Sequence, residues 1–171
     1  MTRRPDPSEH APYFSRYIDL VPESDILRAL ETQIDSTTAM LKSVDEERSK
    51  YRYADGKWTI KQVIGHMSDV ERIFAYRALA IARGETNPLP GFDEDTYVRQ
   101  GDFDSWTFAD LVDALLIVRR SNVLMLRHLA PDAWDRRGVA NDSPATVRAL
   151  AYSMLGHERH HLNVLRQRYN V

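Results

Sequence analysis

The stretch from Pro144 to Tyr169 constrains the chain more than any other. At about 100° per residue, Val147, Leu150, Ala151, Met154, Leu165 and Tyr169 fall on one helical face. His157 and His161 fall on that same face. Residues four apart sit one turn above each other, so the two imidazoles can aim their ring nitrogens at one point. His160 lies about 60° from His157 and about 100° from His161, toward the polar side. Ser143 reads as the cap of this helix and Pro144 as its first residue, where a missing N–H costs nothing. An apolar face of this length needs other elements to cover it. A histidine pair inside such a face is either half of a metal site or two structural core residues.

Three further stretches keep helical spacing. The first starts near Ser24 and carries Leu27, Leu30, Ile34, Leu41 and Val44 before fading in the charged run Asp45 to Arg48. The second opens at Trp58-Thr59-Ile60-Lys61-Gln62-Val63. There Thr59 and Gln62 have capping-box spacing, and Trp58 can pack on Val63 as a hydrophobic staple. It runs to about Arg83, ends at Gly84, and buries Ile60, Val63, Ile64, Met67, Val70, Phe74 and Ile81. His66 lies on the flank of that stripe, while Glu71 falls inside it and needs a partner. The third begins near Thr107, with Trp106 placed to staple onto Leu111. Its inner face carries Phe108, Leu111, Leu115, Val118, Asn122, Met125 and Leu129, with Arg119 at the edge and Asn122 read as a satisfied core amide.

Residues 1–23 hold Pro5, Pro7, Pro12 and Pro22 and read as an extended, partly mobile lead-in, with Tyr13, Phe14, Tyr17 and Ile18 available to pack on the body. Residues 84–105 form a long connection. A helix of about 24 residues is about 36 Å long, and 22 residues at about 3.3 Å each can span it, so the third helix need not run antiparallel to the second. Within this connection Asp93, Glu94, Asp95 and Tyr97 are either the mouth of a pocket or, more plainly, a solvated acidic loop. Asp135 to Asp142 reads as a polar connector. The expected architecture is all-α, a single four-helix-bundle domain over residues 1–171, with no strand and no repeat.

Composition narrows the function. With 23 Lys and Arg against 25 Asp and Glu, the net charge of −2 argues against a nucleic-acid partner. The absence of cysteine removes disulfides, thiolate ligands and a protein thiol nucleophile. No stretch approaches about 18 consecutive apolar residues, so no membrane partner is expected. The start MTRRPDPSEH lacks the apolar run of a secretory signal, which makes the cytoplasm the expected location. If the second and fourth helices face each other, three neutral imidazoles, His66, His157 and His161, can meet in the core. Such a ligand set leaves an open coordination position and an uncompensated charge, the arrangement of catalytic rather than closed structural sites. Glu71 and Glu158 are candidates to orient those ligands, with surface ion pairing as the plainer alternative.

The run Gly56 to Met67 (GKWTIKQVIGHM) resembles the second-helix entry of the DinB/YfiT-like superfamily, and Gly156 to His161 (GHERHH) resembles its C-terminal His-x-x-x-His helix. The loop Leu89 to Asp95 is similar to that of many members, and the resemblance covers roughly residues 24–169. It implies an up-down-down-up bundle with the long connection as the crossover. It also implies a divalent metal, nickel or zinc foremost with manganese or iron also compatible, held by His66, His157 and His161. Relatives include bacillithiol S-transferases and mycothiol-dependent isomerases, and homodimers are common among them. The family name implies no DNA binding.

The leading expectation is a divalent-metal-dependent enzyme that transfers a low-molecular-weight thiol to an electrophilic small molecule. Its competitors are a metal-dependent hydrolase, a non-catalytic metal- or ligand-binding stress protein, and a bundle whose histidines are structural. No residue beyond the three histidines is assigned a catalytic or cofactor-binding role.

Overall fold

The structure is a computed structural model that describes residues 3–171; Met1 and Thr2 of the expected lead-in lie outside the described residues. Its helices are α1 (Ser15–Ile18), α2 (Ile26–Leu41), α3 (Ile60–Ala82), α4 (Glu94–Gln100), α5 (Phe108–Arg127) and α6 (Val147–Tyr169). A two-stranded antiparallel hairpin, β1 (Arg137–Ala140) and β2 (Ser143–Thr146), precedes α6.

The four long helices form the expected bundle, and side-chain pairing fixes their directions. Buried Lys61, at the start of α3, donates to the Trp106 carbonyl just before α5 at 2.5 Å, and Glu71 meets Arg119 further along both helices, so α3 and α5 run the same way. Helix α6 runs against α3, since Tyr169 at its end donates to the Trp58 carbonyl just before α3. Helix α2 runs against α5: Glu31 pairs with Arg127, and the Glu46 carboxylate accepts from the Phe108 amide at the other end. The order is therefore up, down, down, up, with residues 83–107 as the crossover.

Local signals explain most helix starts. Thr59 and Gln62 cap each other's backbone as a reciprocal box, and Asp25 and Thr107 accept from the amides three residues on. Trp106 departs from expectation: it keeps 44 % of its surface exposed, and its carbonyl serves Lys61 instead. The crossover is not structureless, because Asp93 caps the short α4 by accepting from Thr96.

Two expectations are corrected. Ser143 and Pro144 do not start α6; they belong to β2. Asn141 and Asp142 adopt left-handed backbone, with φ of 52° and 55°, as a tight two-residue hairpin requires. That turn pairs β2 with β1, so the polar connector is half a hairpin, and Thr146 takes over as the cap of α6. The lead-in is likewise built rather than extended. Pro7 and Pro12 each open a 3₁₀ turn, where a fixed φ helps and an N–H is not needed. Glu9, Tyr17, Ile18 and Val21 are buried against the body.

The core divides into two apolar clusters. One joins α2, the later part of α3, the end of α5, the hairpin and the first half of α6, and includes Leu30, Phe74, Leu126 and Leu155. The other joins the start of α3 and α5 with the end of α6, and includes Ile64, Met67, Leu111 and Leu165.

Glu9 anchors the lead-in. Its carboxylate accepts from the Thr146 hydroxyl at 2.8 Å and from the Arg148 guanidinium at 3.1 Å. Burial opposes its ionisation, but the Asp6 amide, Thr146 and Arg148 outweigh burial and hold the carboxyl below the usual Glu value of 4.5. A depressed carboxylate stabilises the fold above its unfolded pKa and loses that contribution as pH falls through the folded value. Glu9→Gln is expected to cost about 2 kcal/mol at pH 7, or about 4–8 °C in melting temperature. The gap between variant and wild type should narrow as the pH of the melts falls below about 4.5.

Candidate metal centre

Helix α3 brings His66 into its second turn, buried to 2 % exposure rather than standing on a flank. Helix α6 brings His157, 4 % exposed, and His161 one turn later, partly buried. The Nε2 atoms of His66 and His157 lie 3.1 Å apart, and those of His161 and His157 lie 3.0 Å apart. All three histidines present a ring nitrogen within 4.8 Å of the others. Their neighbours along α3 and α6 belong to both apolar clusters: Ile64, Met67 and Leu162 to one, Val70 and Leu155 to the other.

Hydrogen bonding alone serves this arrangement poorly. A neutral ring nitrogen is either one donor or one acceptor, so His157 Nε2 matches only one of its two neighbours well. A tetrahedral ion about 2.0–2.1 Å from each nitrogen would set them about 3.3 Å apart, close to what is found. Burial keeps the imidazoles in the ligating, neutral form. It lowers the His66 pKa to about 4, and burial reinforced by the neighbouring histidines takes His157 and His161 well below the usual value. The donor set therefore fits a divalent cation.

Aromatic rings wall the group. Trp58 lies 4.8 Å from the His66 ring, and Tyr17 and Phe74 lie 5.3 and 6.1 Å from the His157 ring. A cavity of about 190 Å³ opens beside His157, between α1, α3, the crossover and the hairpin turn. His160 points to Tyr17, at 5.5 Å between rings, and does not join the three.

Glu71 and Glu158 are not surface residues, and no contact joins them to the imidazoles among the described residues. Both serve Arg119, itself 2 % exposed. Glu71 takes a bidentate pair at 2.7 and 2.8 Å, and Glu158 an ion pair at 2.6 Å. Asn122 donates to Glu71 at 3.1 Å and Thr37 to Glu158 at 2.5 Å. Of the acidic-loop candidates, Glu94 lines the cavity, Asp93 caps α4, and Tyr97 packs on Phe92. Sequence reasoning missed Arg77 and Phe92, which also line the cavity. Arg77 carried one usable signal: it continues the α3 stripe through Val70 and Phe74.

Gly156 lets the lead-in reach this site. A Cβ there would stand 2.0 Å from the Tyr17 carbonyl oxygen, a backbone atom that cannot rotate away. Gly156→Ala is expected to push α1 off α6 and cost about 1–3 kcal/mol. Melting temperature should fall, and limited proteolysis should cut more readily within residues 3–22.

The DinB superfamily profile matches residues 29–165. A curated relative from Oceanobacillus iheyensis, named "Putative metal-dependent hydrolase", is 27 % identical over 77 residues. That match spans 44 % of this chain and 44 % of the relative, less than half the length of each. YfiT from Bacillus subtilis, described as "a probable metal-dependent hydrolase with an unusual four-helix bundle topology", superposes with a TM-score of 0.72 at 18 % identity. The superposition covers 99 % of this chain and 94 % of YfiT, and likeness at that identity establishes the shared fold. With its profile match running from α2 to the end of α6, the chain belongs to the DinB superfamily.

Proposed function

We propose that the protein is a metal-dependent hydrolase of small molecules, with His66, His157 and His161 as the ligands of a divalent ion. The observation that carries this reading is the convergence of three buried, neutral ring nitrogens at the edge of a cavity. The names of the Oceanobacillus relative and of YfiT point the same way. A divalent ion in such a site supplies Lewis acidity and acidifies water or a thiol at its open position.

The chain's own residues set the remaining conditions. Tyr17, Trp58 and Phe74 wall the histidines with aromatic rings and limit the water around them. Arg119 with its two carboxylates leaves a formal excess of one negative charge on the residues beside His157, which favours a cation there. Glu94 is the one carboxylate that lines the cavity among the described residues, and burial raises its pKa above the usual Glu value. Its place on the cavity wall makes it the candidate to exchange a proton with a bound molecule.

Protein purified without an affinity tag should contain a divalent ion by elemental analysis. His66→Ala, His157→Ala and His161→Ala should each strip it to background, while His160→Ala should retain it. Stoichiometric metal in the His157→Ala variant would refute the assignment.

The metal-loaded protein should hydrolyse members of a panel of esters, amides and phosphoesters, and His161→Ala should not. A cofactor thiol is the competing nucleophile, and because the chain has no cysteine it must arrive with a substrate. Conjugation of bacillithiol, mycothiol or glutathione to an electrophile by wild type but not His161→Ala, without hydrolysis, would replace the hydrolase reading with the transferase one.

A further inference from the structure

Four side chains continue one face of α3 from the histidines into the cavity: His66, Val70, Phe74 and Arg77. The Phe74 ring stands 6.1 Å from that of His157, and Arg77 lies about one turn further, about 4.5 Å along the axis. Arg77 is 3 % exposed. Its Nη2 donates to the Pro90 carbonyl at 2.6 Å, and the guanidinium faces Phe92 at 6.0 Å from the ring centre. Among the described residues, no carboxylate lies within ion-pair distance of it.

That makes Arg77 unlike the other deeply buried cations. Arg119 is held by Glu71 and Glu158, Arg148 by Glu9 and Asp135, and Lys61 by Glu46. Burial pulls Arg77 below the usual guanidinium value, with no acid opposing it. A desolvated charge without a counter-charge is costly, and the cost persists only where something else maintains it. A guanidinium has five N–H donors in a planar fork, of which Pro90 takes one. Glu94 does not fill the gap: the cation set against it is Arg16. Asn141 reaches the Arg77 end, since its side chain covers Gly91, next to Pro90. An amide and an unpaired guanidinium together suit two oxygens of one anion.

We infer that Arg77 is the specificity-determining residue of this cavity, and that the substrate is a short molecule with an apolar middle and a carboxylate or phosphoryl group at the end remote from the histidines. This rests on the reading of the histidines as the reactive end. The cavity of about 190 Å³ holds about six waters' volume, which sets the length to a few bonds. The reactive bond sits toward His157, the apolar middle against Val70 and Phe74, and the anionic end against Arg77 and Asn141.

The test uses phenylacetate, phenylphosphonate and neutral phenylacetamide as probes, titrated by calorimetry into metal-loaded wild type and into wild type after chelation. At least one of the two anions should bind at least tenfold tighter than the amide, and which anion leads identifies the carboxylate or phosphoryl class. The preference should survive chelation, because the guanidinium and not the ion supplies it. It should fall below twofold in Arg77→Gln. In folded wild type, the Arg77 Nε–H resonance, assigned by its absence from Arg77→Lys, should move on adding the preferred anion; this readout holds even if Arg77→Gln does not fold. Equal affinity for anion and amide, or an unmoved Arg77 resonance, overturns the inference. So does a preference that survives Arg77→Gln and vanishes on chelation, which would place the anion on the metal and leave the histidine reading standing. A preference shown by protein that takes up no divalent ion even when one is supplied would instead uphold Arg77 and refute the metal reading.

Discussion

One guanidinium fixes the register of three helices. Arg119, on α5, is surrounded by Glu71 from α3 and Glu158 from α6, all three almost fully buried. Burial disfavours the Arg119 charge, and the two carboxylates outweigh it, so its pKa rises instead of falling. A buried ion cluster contributes little net stability over a well-packed apolar one, but leaving one member unpaired costs several kcal/mol. Its main effect is therefore positional: any slide of α3 against α6 breaks a charged contact. Glu71 lies five residues beyond His66, and Glu158 is the neighbour of His157. The arrangement that satisfies Arg119 is the one that brings His66 Nε2 to 3.1 Å from His157 Nε2.

The histidines occupy the seam between the two apolar clusters. Elements outside the bundle close that seam. The lead-in is pinned by Glu9 to the start of α6 and brings Tyr17 against His157. The hairpin turn brings Asn141 against the crossover, and the Leu89 amide and carbonyl bond to β1 and the turn. The bundle supplies the three histidines, and the appended segments supply the remaining cavity walls.

Two buried cation environments coexist here. Arg119, Arg148 and Lys61 are neutralised inside the protein and act as structure, whereas Arg77 is not. The distinction was invisible in composition, where every arginine counts alike toward a net charge of −2. It depends on which carboxylates the fold brings near.

Periodicity and caps were enough to read four helices, the capped entry of α3 at Thr59, the start of α5 at Thr107, and the His157–His161 pair on one face of α6, because these depend on residues within a few turns of each other; adding His66 to that pair took the family resemblance and the condition that α3 and α6 face each other. The long crossover by itself left parallel α3 and α5 open; the family resemblance implied them, and side-chain pairing across the bundle establishes them. The start of α6 was misread because Ser143-Pro144 suits a helix locally, while Asn141-Asp142 suits a hairpin whose partner strand must be in place to win. The lead-in, the Arg119 cluster and the Arg77 cavity were beyond sequence for one reason. Burial and charge pairing join residues far apart in the chain, such as Glu9 with Arg148 and Glu71 with Arg119, and no local pattern encodes the contact. The chain by itself determined the elements and the chemistry available to them; the tertiary packing decided which charges were neutralised and which nitrogens met.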